Sequence, residues 1–314
     1  VASDQQYAML GHGGIDARGD NTGAIDVRAM DGIAFLAGSR HQNFAQLGHG
    51  GRDSDRINGN TTLGNVGTIT VATQNGGIQF LGGTQISQAY AQLGHGGYAT
   101  SGANDGAITV RSGYEIGTAA ALSILDTKSA GGVAAGIVFQ GGQADLNYAQ
   151  LGHGGHSASG DHMGDIDVRA QSDISFLANS NAAIGNQAYA QLGHGGDTAK
   201  GDFIGNIFVE TDGNINVQAG ARDRSYAQIG HGGVEGDGNH VGNIHVGAGG
   251  NVAVGGATGV GNWKMAQIGH GGNRASGNQS GDICVHADGS VSVAAAQTGV
   301  GARDYGKIGH GGYA

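Results

Sequence analysis

An all-β, right-handed parallel β-helix, wound in coils of three short strands, is the fold this sequence predicts. Three observations carry that expectation. The phrase YAQLGHGG or a close variant recurs eight times along the chain. Two short strand signals recur between the copies. Glycine supplies 67 of the 314 residues and proline none.

The phrase occupies Tyr7–Gly14, Phe44–Gly51, Tyr90–Gly97, Tyr148–Gly155, Tyr189–Gly196, Tyr226–Gly233, Met265–Gly272 and Tyr305–Gly312. Its histidines are His12, His49, His95, His153, His194, His231, His270 and His310, separated by 37, 46, 58, 41, 37, 39 and 40 residues. Such a period marks a repeat architecture. The whole chain, 1–314, reads as one repetitive segment with a single insertion at about 112–135. The first strand signal is G-x-I-x-V: Gly23–Val27, Gly67–Val71, Gly106–Val110, Gly164–Val168, Gly205–Val209, Gly242–Val246 and Gly281–Val285. Its alternation is that of a half-buried strand. The second includes Ile33–Phe35, Ile78–Phe80, Ile137–Phe139, Ile174–Phe176, Ile215–Val217, Val252–Val254 and Val291–Val293. A sustained 3.6-residue pattern is absent, and Thr118–Leu125 inside the insertion is the one helix candidate. A β-propeller would need four antiparallel strands per unit, and only three signals appear.

A lone unit cannot offset its own ordering entropy, so stability has to come from stacking on neighbours. Equivalent positions should then form columns at ~4.8 Å. The glycines of the phrase permit positive φ and close backbone approach. Gln46, Gln92, Gln150, Gln191, Gln228 and Gln267 should form a structural amide ladder like those of cross-β stacks. Tyr, Phe or Met two places earlier should form a stacked column, at least half buried. Parity places Ala, Leu and His on one face and Tyr and Gln on the other. Ala and Leu are expected inward, while the side taken by the histidines is left open.

The composition excludes several functions. Charged residues make up 13% and the net charge is −10, with no basic run, which disfavours nucleic acid and anionic lipid as partners. Apolar runs are too short to insert in a membrane. Cys284 is the sole cysteine, so internal disulfides are impossible.

Eight histidines in file are candidate metal ligands. One imidazole per coil, however, does not supply the four ligands of a structural zinc site. The expected role is a hydrogen-bonded corner, with no cofactor. The acids after the phrase, Asp16, Asp20, Asp53, Asp55, Asp161, Asp165, Asp197, Asp202 and Asp237, drift in offset and do not follow the nonapeptide calcium pattern. They read as solvated loop acids. Catalytic residues are not expected. Asp26 and Asp167 sit at the exposed middle of G-x-I-x-V, where other units carry Thr70, Thr109, Phe208, His245 or Cys284. Trp263 reads as a packing or loop aromatic.

These strands and glycine-asparagine-aspartate turns, repeated without proline, resemble the stalks of filamentous haemagglutinin-type bacterial exoproteins. That family comprises large secreted adhesins, including biofilm-matrix adhesins, commonly exported by two-partner secretion. The resemblance spans the chain as a repeat style, although a unit near 39 residues is about twice the family's usual length. It implies an extracellular, cell-surface rod that links cells, with other cells, matrix polysaccharide or like chains as partners. The ends carry no polar cap, which suits a segment of a longer array. The alternatives are a metal-binding repeat module using the histidine ladder, a polysaccharide-active β-helix enzyme, and a fibre growing by end-to-end self-association.

Overall fold

The computed structural model describes residues 4–54, 64–85, 87–116, 124–129, 135–179, 185–256, 259–295 and 301–313. All regular structure among them is strand, wound as a parallel β-solenoid of about seven turns.

Each coil runs through three main strands. The phrase begins the first, and these form an eight-stranded sheet from Tyr7–Leu10 to Tyr305–Ile308. G-x-I-x-V forms the second, a seven-stranded sheet from Ile25–Ala29 to Ile283–Ala287. The third sheet, also seven-stranded, runs from Ile33–Leu36 to Val291–Ala294. Every pairing within them is parallel, and register follows the sequence repeat. Gln46 faces Gln92 and Gln92 faces Gln150. Ile108 lies between Ile69 and Ile166.

Two elements go beyond the three expected strands. The paired glycines of the first coils form a short parallel sheet (Gly13–Ile15, Gly50–Arg52, Gly96–Tyr98), continued by single bridges at Gly154, Gly195 and Gly232. Two-residue strands, from Asn21–Thr22 to Gln279–Ser280, turn the corner before the second sheet. Neither is long enough to show alternation, so periodicity could not reveal them.

The inward faces of the three main sheets share one apolar core, containing Ala91, Leu93, Ile108, Val110, Ile137 and Phe139 in the third coil. Phe35, Phe80, Phe139 and Phe176 stack along it at 4.8–5.5 Å. The opposite face of the first sheet is also buried. There Phe44, Tyr90, Tyr148, Tyr189, Tyr226 and Met265 form a second core. The glycine pair covers it: a Cβ on Gly97, Gly155 or Gly196 would sit 2.9 Å from the hydroxyl of its own coil's tyrosine. Glycine is needed here chiefly because the backbone has positive φ and the carbonyl of the preceding coil's glycine would overlap a Cβ, with the tyrosine ring closing the remaining space.

The insertion opens as an antiparallel ribbon, Tyr114–Ile116 against Ile124–Lys128. Residues 118–123 of the helix candidate lie outside the described residues, and Leu125 belongs to the ribbon's second strand. The excursion leaves the stack intact, since Ile137 pairs with Ile78 before it and Ile174 after it.

Candidate functional site

The repeated histidines form one column inside the wall of the solenoid. His12, at its first member, is exposed, while His49, His95, His153, His194, His231 and His270 are buried. Successive rings from His12 to His310 lie 4.7–4.9 Å apart and within 10° of parallel. The side the sequence left open is therefore inward.

Hydrogen bonding fixes the protonation state. The backbone N–H of His49 donates to Nδ1 of His95 at 2.9 Å, and His95 N–H donates to His153 in the same way. The pattern continues to His310. Nδ1 is thus an acceptor and carries no proton. Nε2 lies 2.7–2.9 Å from a glycine carbonyl: His95 with Gly67, His153 with Gly106, His194 with Gly164. A carbonyl only accepts, so Nε2 carries the hydrogen. Each imidazole from His49 to His270 is a neutral bracket with both nitrogens engaged by the preceding coil. The glycine partner is the first residue of G-x-I-x-V, which explains why two separate sequence signals keep pace.

Burial, above all, depresses the pKa values of these rings. His95, His194 and His270 fall to about 4, and His153 and His231 lie well below the ordinary value. Neighbouring imidazoles add to the depression at His95, His153, His231 and His270.

The glutamines are buried, but they do not pair amide to amide. Nε2 of Gln46 donates to the backbone carbonyls of His49, Gly94 and Gly96 at 3.0–3.2 Å. Gln92, Gln150, Gln191, Gln228 and Gln267 repeat this arrangement. The expectation of a cross-β amide ladder is corrected: the glycine turn brings bare carbonyls within reach, and they take the amide hydrogens. The amide oxygens of Gln150 and Gln191 instead accept from Tyr189 and Tyr226 of the next coil, at 3.2 and 3.0 Å. Among the described residues, Oε1 of Gln46, Gln92 and Gln228 has no partner, although Tyr90 and Tyr148 stand above the first two and Met265 above the third, so a tyrosine at this place does not always bond the amide oxygen.

The loop acids divide. Asp161, Asp165 and Asp202 are partly or fully exposed, yet each Oδ1 accepts a backbone N–H of the following coil, from Asp202, Asn206 and Asn239 at 2.7–2.9 Å. They bind coil to coil as well as face solvent. Asp55 lies outside the described residues. Asp197 departs from the solvated reading, because it is fully buried. It pairs with Arg224 at 3.1 Å, and its Oδ1 lies 3.9 Å from Nδ1 of buried His156. Desolvation raises Asp197 to about 7 and lowers His156 to about 4. Both occupy the position directly after GHGG, which the fold-back over the tyrosines buries at Arg52, His156, Asp197, Val234 and Asn273 and leaves half-buried at Ile15 and Tyr98. Arg52, Tyr98 and His156 stack there in sequence. The position varies from coil to coil, so repetition gave no warning. A corner column of Asn65, Asn104 and His162, hydrogen-bonded in file, was also missed.

Among the described residues no group of three or more His, Cys, Asp or Glu is placed to hold a metal ion. Asp26 pairs with Arg28, and Asp167 with Arg111 and Arg169. Trp263 lies in a loop with Arg303 4.2 Å above its ring, and Cys284 is exposed on the second sheet. Comparison with family models, curated proteins and solved structures finds no match to this chain.

Proposed function

We propose that this chain is a structural rod, the repetitive stalk of a large secreted bacterial adhesin or matrix filament that holds cells to one another or to a surface. The observation that carries the proposal is the use made of the repeated polar residues. The buried motif histidines bond backbone on both ring nitrogens, and the ladder glutamines donate to backbone carbonyls. Residues kept for coil-to-coil bonding serve the rod rather than a ligand. Strand hydrogen bonds between coils run along the rod axis and share load along it. The repeat style resembling filamentous haemagglutinin-type stalks supports a surface location.

Antibody labelling of the intact parent cells tests this. Label on the cell surface or between cells is expected, and label confined to the cytosol would overturn the proposal. A metal-binding module is separated by calorimetric titration of the folded chain with zinc and with calcium. No heat corresponding to one site per coil is expected, because metal would have to displace a hydrogen bond at either nitrogen. Saturable binding with one ion per histidine would favour the module.

A further inference from the structure

Among the described residues, the outer face of the second sheet is where a non-repeated element, the ribbon of the insertion, stands beside the stack. The inserted ribbon flanks a groove on that face, walled by Tyr114, Lys128, Arg169, Glu210 and His286 and floored by Gly247. We propose that this groove binds a neutral, hydroxyl-rich ligand, a segment of uncharged polysaccharide.

The floor is open for a definite reason. Successive coils place Arg111, Arg169, Glu210, Gly247 and His286 at one strand position. Only the glycine leaves that position without a side chain, and it lies between Glu210 and His286. Its backbone does not require glycine, having no positive φ. A Cβ there would meet only the Glu210 side chain at 3.2 Å and His245 Nε2 at 3.6 Å.

The walls are polar but internally matched. Lys128 pairs with Asp212 at 2.5 Å, Arg169 with Asp167 at 3.2 Å, and His286 with Asp288 at 3.0 Å. With Lys128 and Arg169 already answered by carboxylates and Glu210 added, the groove offers no net attraction to a polyanion. It still presents donors and acceptors side by side, which suits a hydroxyl that both donates and accepts. Beside it, Phe208 and His245 stack at 4.7 Å, half exposed, with Arg169 5.0 Å above Phe208. Arg169 and His245 cover the faces of the Phe208 ring, so the half-exposed ring edges are the apolar surface against which the C–H groups of a sugar can pack. The combination of a few placed polar groups and aromatic surface is that of a small-molecule site. The inference is independent of the stalk proposal, since a rod without this groove would still be a rod.

An array of neutral glycans, followed by calorimetry with the best-bound hexasaccharide, tests it on the intact chain. Saturable binding is expected. Gly247→Gln, which fills the floor at a position that elsewhere holds long side chains, should weaken binding by about tenfold or more while the melting temperature stays unchanged. Phe208→Ala should weaken it as well. Heparin, as the polyanion control, should not bind. The proposal is overturned if no neutral glycan binds, if Gly247→Gln binds as tightly as the parent, or if heparin binds more tightly than any neutral glycan.

Discussion

Acidification from pH 7 to pH 5 should lower the melting temperature of this protein by roughly 20 °C or more, read by circular dichroism. Eight buried imidazoles have strongly depressed pKa values: His95, His153, His194, His231 and His270 of the column, with His156, His162 and His240 beside it. Their folded pKa values lie below the unfolded ~6.5, so the unfolded chain takes up protons first. The stability they contribute is complete above that value and is lost as pH falls below it. At pH 5 each costs about 2 kcal/mol, and eight together rival the ~5–15 kcal/mol that holds a domain folded. Geometry enforces the sign. A second proton would have to go to Nδ1, where a backbone N–H already points at 2.9–3.1 Å. Asp197 works in the opposite direction, because its carboxyl is raised to about 7 and its folded state loses stability as pH rises from about 4 to 7. It is one group against eight, so the net trend is acid lability. Asp197→Asn should remove that opposing slope and leave the acid transition in place. A melting temperature unchanged between pH 7 and pH 5 would mean that the column is not buried as described.

Gly193→Ala should be among the most damaging single-methyl additions in the central coils. The residue has φ +144°, and a Cβ would overlap the carbonyl oxygen of Gly230 in the next coil. Gly48, Gly94, Gly152 and Gly230 meet their successors in the same way. The obstacle is backbone within a hydrogen-bonded stack, so relief requires two coils to part. A loss of at least ~4 kcal/mol is expected in denaturant unfolding, or failure to fold. Gly19→Ala is the control. Gly19 also has positive φ, but open space surrounds its would-be Cβ. Its cost should be confined to backbone strain, about 1–2 kcal/mol. Equal losses at the two positions would show that strain, rather than coil-to-coil contact, demands the glycine.

Much of the candidate site could be read from repetition, and what escaped was what does not repeat. His95 and Gln92 declared themselves as structural by recurring in register. Asp197 and His156 share a position with Arg52 and Tyr98, so no pattern marked that position as buried. Thr198 and Leu146 adopt left-handed backbone with φ near 58° and 59°, at places where a sequence reading expects glycine. Equivalent residues in other coils, Ser157 and Gln187 among them, do the same.

The amino-acid sequence by itself determined the winding. A period near 39 residues with three short apolar alternations can bury its faces only by stacking on its own copies, and that dictates parallel strands in register. Tertiary structure alone decided which polar atoms meet. The histidine nitrogens, the glutamine amides and the buried Asp197 find partners in another coil, tens of residues away along the chain. Such partnerships depend on how the glycine turn folds back over the tyrosines, a matter of three-dimensional closure on which strand periodicity is silent.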